Sequence, residues 1–172
     1  DGGCGAGMLM YGLSLRHGWG CQVNTPLGFR FLQMAAESVV ADLDRVVFGG
    51  RTLRPRCVLT FSPSRRSPSR SLGLTPTFGL QSELVLALHE IGASYRFGWG
   101  VDKSKQMAVS YFRLAADLGD VDAQQDLAFA LANGKGCKKD LKEAARFYRL
   151  AIAQGAPSFG LSWVYKDKYL GA

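Results

Sequence analysis

Cysteine is scarce in this chain of 172 residues: Cys4, Cys21, Cys57 and Cys137 stand far apart, and only two histidines, His17 and His89, accompany them. No pair of His or Asp residues lies beside a cysteine at ligand spacing, so neither a zinc centre nor a disulfide framework is supported. Isolated thiols suit a reducing compartment, which points to the cytoplasm or the nucleus. Apolar stretches are short and interrupted, so no membrane-spanning helix is expected. The chain opens on Asp1 with no basic-then-apolar leader, an opening that a fragment of a longer protein would show.

Acidic residues are absent between Arg45 and Ser82, where seven arginines stand; the remainder holds fourteen basic and fourteen acidic residues. The whole net charge of +7 therefore belongs to one segment. A basic face for nucleic acid would need its cations spread over a folded surface instead. Chemical constellations are missing as well. His89-Glu90 opens like a zinc-protease helix, but Ala93 stands where the second His must be. The position of His89 matches that of Gln125, which reads as a solvated helix face. Asp1-Gly-Gly-Cys-Gly-Ala-Gly and Gly134-Lys-Gly-Cys-Lys-Lys lack the Gly-Lys-Ser/Thr of a phosphate loop. No catalytic, cofactor-binding or metal residue is assigned, no cofactor is expected, and the chain is not expected to be an enzyme.

What is present is a repeat. Gly98-Trp99-Gly100 recurs as Gly134-Lys135-Gly136 at a shift of 36, and Gly18-Trp19-Gly20 precedes it by 80. Ala115-Ala116 recurs at Ala151-Ile152 and at Ala35-Ala36 by the same shifts. Three copies follow, with an insertion of about 44 residues after the first. Within the second copy, Leu84, Ala87, Leu88, Ile91 and Tyr95 recur at three- and four-residue steps, which is helical spacing. Gly98-x-Gly100 breaks that helix. A second one carries Met107, Ala108, Tyr111, Phe112, Ala115 and Leu118. Asn24, Ser104 and Asp140 occupy equivalent positions and suit N-caps, and Asp140 with Glu143 has capping-box spacing. Gly119 and Gly155 fit left-handed C-terminal stops. Gly12, Gly92 and Ala128 in the first helices, and Ala35, Ala115 and Ala151 in the second, remove bulk so that the helices of a hairpin approach closely. Phe31, Tyr111 and Phe147 fill the space alongside. Trp19 and Trp99 read as packing between adjacent hairpins, and Cys21 and Cys137 as small apolar residues at the place of Val101. One such hairpin cannot bury both faces, so the copies must stack into an all-α superhelix.

The parsing is residues 1–48 for the first copy with an extended second helix, 49–82 for an Arg/Ser/Pro-rich flexible insert, 83–155 for the second and third copies, and 156–172 for a capping helix and tail that starts near Pro157. The insert holds Pro55, Pro63, Pro68 and Pro76 and lacks periodicity, with Val58-Leu59-Thr60-Phe61 as a short strand candidate. Ser62-Pro-Ser-Arg and Ser67-Pro-Ser-Arg repeat one tetrapeptide, and Thr75-Pro76 is a weaker third. Ser62, Ser67 and Thr75 are thus candidates for proline-directed phosphorylation, each phosphate adding about −1.5 to −2 charge.

Glu90-Ile91-Gly92, Tyr95, Gly98-Trp99-Gly100-Val101, Ala108, Tyr111-Phe112, Ala115-Ala116, Gly119 and Ala123 resemble the Sel-1-like repeat, and Leu127, Gly134-Lys-Gly136, Ala144, Phe147-Tyr148, Ala151 and Gly155 resemble it again. The first copy departs from the pattern: Cys21 replaces Val, Gly28 replaces Ala, and the closing Gly is missing. The resemblance implies a right-handed superhelix of hairpins related to tetratricopeptide repeats, and an adaptor that holds other proteins. The wording of the third copy and of Ser162-Trp-Val-Tyr-Lys-Asp-Lys-Tyr is similar to fungal members that regulate mitotic entry or septation kinases, so it implies partners of that kind: a kinase or a cell-cycle or septation regulator. If the first helices line the concave face, as the family implies, the partner contacts are Glu90, Ser94, Gln125, Asp126 and Phe129. Two alternatives stand beside this reading: nucleic-acid association through the arginines of the insert, and a hydrolase like the cysteine-rich bacterial members. The latter fits poorly, because those need a cysteine pair in every hairpin. The terminal Tyr-Leu-Gly-Ala also lacks the prenylation signal of fungal chitin-synthase activators.

Overall fold

The computed structural model describes residues 5–48 and 77–169. Among these residues the chain is wholly helical: α1 (Gly5–His17), α2 (Thr25–Phe48), α3 (Thr77–Phe97), α4 (Lys105–Asp117), α5 (Val121–Asn133) and α6 (Leu141–Ala153), then two 3-10 turns, Ser162–Tyr165 and Asp167–Tyr169. Helices α1/α2, α3/α4 and α5/α6 form three hairpins, and α2 packs on α3 as α4 packs on α5. The fold is the expected all-α stack. Ser62, Ser67, Thr75 and the strand candidate at Val58–Phe61 lie outside the described residues.

Each hairpin turns by the same device. The amides of Asn24, Ser104 and Asp140 donate to the carbonyls of Leu15, Tyr95 and Leu131, closing the turn. Their side chains then cap the next helix: Asn24 Oδ1 accepts from Leu27 N at 3.1 Å, Ser104 Oγ from Met107 N at 3.3 Å, and Asp140 Oδ1 from Lys142 N and Glu143 N at 2.9 and 3.0 Å. The capping box of Asp140 and Glu143 is not reciprocated. The Glu143 carboxylate instead takes both Arg113 guanidinium nitrogens, at 2.6 and 3.2 Å, because that partner carries a full charge.

Small residues set the spacing within and between hairpins. A Cβ on Gly12 would sit 3.0 Å from the Gly28 carbonyl oxygen, so α1 and α2 meet backbone to backbone. In the second hairpin the ring of Phe112 lies over Gly92, and in the third Ala128 is wholly buried. In the second and third hairpins the second glycine of Gly-x-Gly has a further reason to be glycine. Gly100 and Gly136 have φ of +75° and +81°, and a Cβ there would collide with the backbone of Thr25 and Lys105, in the preceding hairpin's second helix. The turn is therefore the point where successive hairpins touch.

Two buried clusters fill the stack. One joins Leu9, Leu13, Phe29, Leu32 and Ala35 to Ala87 and Ile91; the other runs from Val85, Ala108 and Phe112 through Leu127 and Leu131 to Phe147. The two ends differ. At the far end the chain does not form the helix expected from Pro157. Gly160 takes a left-handed φ of +73°, which interrupts any helix, and order resumes as 3-10 turns. They still cover α6: Val164 is wholly buried, Trp163 meets Tyr148 edge-on, and Arg149 Nη1 donates to the carbonyls of Val164 and Tyr169 at 2.7 and 3.1 Å. At the near end, Tyr11 occupies the position of the buried Ile91 and Leu127, yet is 47% exposed.

Candidate functional site

The first helices are locked across each seam by one repeated ion pair. Arg16 Nη2 lies 2.6 Å from Glu90 Oε2, and Arg96 Nη1 lies 2.5 Å from Asp126 Oδ1. Arg16 and Arg96 are related by the shift of 80, and Glu90 and Asp126 by the shift of 36. The first pair is nearly enclosed, with 8% and 18% of the two side chains exposed. Arg16 also lies over the Trp99 ring at 4.7 Å.

His89 completes the second seam. Its Nε2 sits 3.4 Å from Asp126 Oδ2, and its ring lies beside Phe112. The expectation of a solvated face is thus corrected: α3 turns this residue toward α5, where an acid awaits it. Burial pulls the His89 pKa down, but the Asp126 hydrogen bond and the fields of Asp120, Glu90 and Asp126 outweigh it, so the net shift is upward. Burial pushes the Asp126 carboxyl up, whereas its bonds to His89 and Arg96 pull harder, so it ends below its ordinary range.

These contacts redistribute the expected partner residues. Glu90 is tied to Arg16. Ser94 is wholly buried, its hydroxyl donating to the Glu90 carbonyl at 2.8 Å, and offers nothing to a partner. Asp126 is held by Arg96 and His89. Gln125 is partly exposed, and Phe129 is 37% exposed. Of these, Asp126 and Phe129 border a groove of about 240 Å³ between the second and third hairpins, walled also by Arg96, Phe97, Lys105, Val109 and Lys135. Arg96, Phe97 and Lys105 belong to no motif in the sequence, Lys135 fills the variable position of Gly-x-Gly, and only the shared register of Arg16 and Arg96 signals one of them.

Along the turns runs a connected row of rings and cations. Trp19 stacks on His17 (4.8 Å between centroids), His17 meets Trp99 at 6.4 Å, and Trp99 stacks on Phe97 at 4.6 Å. Arg96 then lies over Phe97 and Phe129, and Lys135 over Phe129 at 4.6 Å. Trp99 packs between hairpins as expected; Trp19 stays 58% exposed. Cys21 and Cys137 are partly buried free thiols. Charge is also sorted in space. Lys103, Lys105, Lys135, Lys138 and Lys139 outnumber Asp102 and Asp140 at the turns within the second and third hairpins, whereas Asp117, Asp120 and Asp122 stand at the turn between α4 and α5. The charges outside the insert thus balance in number but not in position.

Among the described residues, no cluster of three His, Cys, Asp or Glu side chains could hold a metal, and no helix is long and apolar enough to cross a membrane. Stacked hairpins with Gly-x-Gly turns, interlocked by a register-fixed ion pair, define a helical repeat protein of the tetratricopeptide-like class. The chain belongs to the Sel1 repeat family, whose repeat matches residues 5–38, 85–120 and 121–155. Sel1 repeat proteins are generally non-catalytic and bind other proteins. The chain is 32% identical to "Mitosis inhibitor nif1" of Schizosaccharomyces pombe over 172 residues, and 31% identical to "Protein DSF2" of Saccharomyces cerevisiae over 169. Each match covers 94% of this chain, but only 22% and 20% of those relatives, so the chain spans about a fifth of their length. A crystal structure of a Sel1 repeat protein from Oxalobacter formigenes superposes with a TM-score of 0.60 at 25% identity, covering 89% of this chain and 83% of that one.

Proposed function

We propose that this chain is a non-catalytic adaptor that holds a partner protein on the surface of its hairpin array. The observation that carries the reading is the exposed aromatic series Trp19, Phe97 and Phe129, 58%, 47% and 37% exposed, one from each hairpin. Exposed aromatic side chains on a rigid scaffold are favoured anchors at protein interfaces. Gln125 and Phe129 remain contacts in this proposal; Glu90, Ser94 and Asp126 serve the seams instead. The test is cross-linking capture from a fungal extract by the chain and by its Phe97→Ala/Phe129→Ala variant. Loss of the captured partner at an unchanged melting temperature is expected, and full retention would refute the surface.

The relative described as a mitosis inhibitor supports a narrower proposal: the partner is a cell-cycle or septation regulator such as a kinase, met in the cytoplasm or nucleus. Phosphorylation of Ser62, Ser67 and Thr75 by a proline-directed kinase would then regulate capture. Mapping phosphosites by mass spectrometry after treatment with such a kinase tests this, and an unmodified insert would overturn it.

A further inference from the structure

Resting on the adaptor reading, we infer that the groove between the second and third hairpins docks an acidic peptide segment of the partner, with one apolar side chain on the groove floor and flanking carboxylates on Lys105 and Lys135. Four charged side chains border the groove: Arg96, Asp126, Lys105 and Lys135. Arg96 and Asp126 neutralise one another, and Asp126 also faces His89. Lys105 and Lys135 have no carboxylate partner among the described residues, and Lys135 lies over the ring of Phe129. Lys105 stands in the first turn of α4, which holds no acidic residue. The helix macrodipole disfavours a cation there, so its charge works against the helix and toward an anion outside it. The floor between these cations is apolar, formed by Val109, Phe112 and Ala130, with Phe97 and Phe129 at the rim. On the neighbouring turns Lys103 is offset by Asp102, but Lys138 and Lys139 outnumber Asp140 and extend the positive field that would steer an acidic segment inward.

Single-stranded nucleic acid is the competing anion, and the groove suits it less. Such ligands stack their bases on open aromatic faces. Here Phe97 already stacks on Trp99 with Arg96 over its ring, and Phe129 already carries Arg96 and Lys135. The rim is therefore better furnished for carboxylates than for bases.

The experiment uses the full 172-residue chain and three labelled probes in fluorescence anisotropy at low salt. The first is Glu-Asp-Glu-Phe-Leu-Glu-Asp-Glu, the second replaces each Glu and Asp by Gln and Asn, and the third is an oligouridylate. The acidic peptide should bind, weaken as salt rises, and lose about tenfold in affinity to Lys105→Glu/Lys135→Glu, with a smaller loss for Lys105→Gln/Lys135→Gln. The amide peptide should bind about tenfold more weakly. Equal binding by both peptides, tighter binding of the oligouridylate, or indifference to both lysine variants would overturn the inference. The adaptor reading would survive that failure if Phe97→Ala/Phe129→Ala still abolished partner capture, so the two are separable.

Discussion

Replacing Glu90 by Ala tests the interlock between the first two hairpins. The substitution leaves the Arg16 guanidinium in a seam where 8% of its side chain is exposed. One of its nitrogens, Nη1, is buried without a hydrogen-bond partner even in the intact protein, so Glu90 supplies the principal compensation for the charge. Removing one member of a buried pair costs about 3–5 kcal/mol, because the survivor is left uncompensated. Stacking on Trp99 and the contacts of Nε and Nη2 with His17 Nε2 at 3.2 and 3.1 Å remain. They place the expectation near the lower end, about 3 kcal/mol, or a fall in melting temperature of about 6–12 °C for a domain of this size. The assay is urea unfolding followed by circular dichroism, run as a double-mutant cycle. Arg16→Met/Glu90→Leu should recover most of the loss, since an apolar pair of similar volume removes the stranded charge along with its partner. A loss below about 0.5 kcal/mol for Glu90→Ala, the scale of an ordinary surface change, would refute the account of the seam.

The Arg113–Glu143 pair is more exposed, at 41% and 30% of its side chains, so Arg113→Ala should cost at most about 1 kcal/mol in the same assay and less at high salt. Gly20 and Gly136 separate two demands on one turn position. Gly20→Ala meets no described atom within 4 Å and should cost only the strain of its positive φ, about 1–2 kcal/mol; Gly136→Ala also strikes the Lys105 backbone and should lose about 2–4 kcal/mol by urea unfolding. The raised His89 pKa means its protonated form is favoured by folding. That contribution is complete below the unfolded value of 6.5 and fades as pH rises through the higher folded value, so stability should drop as pH climbs above 6.5, and His89→Gln should remove that part of the dependence. The lowered Asp126 pKa acts oppositely: its contribution holds above the ordinary 3.8 and fades as pH falls through the folded value, and Asp126→Asn should flatten the acid limb of the same titration.

The stack was legible because the repeat reports the same backbone demand more than once. Asn24, Ser104 and Asp140 could be placed as caps from the two repeat shifts, and all three accept the expected amides. The site was less legible. Helical spacing shows which face of α3 is apolar, but not that Ser94 ends wholly buried or that α5 comes close enough to draw His89 onto Asp126. Arg16 and Glu90 are 74 residues apart, so each alone looks like a solvated charge, and only the repeated register of donor and acceptor betrays the pair. The tail misled for a local reason: Pro157 suits a helix start, but Gly160 adopts a backbone that no α-helix accommodates.

Among the described residues the flanks of the array differ: Val164 and Trp163 lie against α6, whereas Tyr11 of α1 is 47% exposed. Arg149, which could have met the acid of another hairpin as Arg113 meets Glu143, is spent on the carbonyls of the terminal turns. A hairpin engineered to dock on α6 would therefore first have to evict Val164 and Trp163 from their seats.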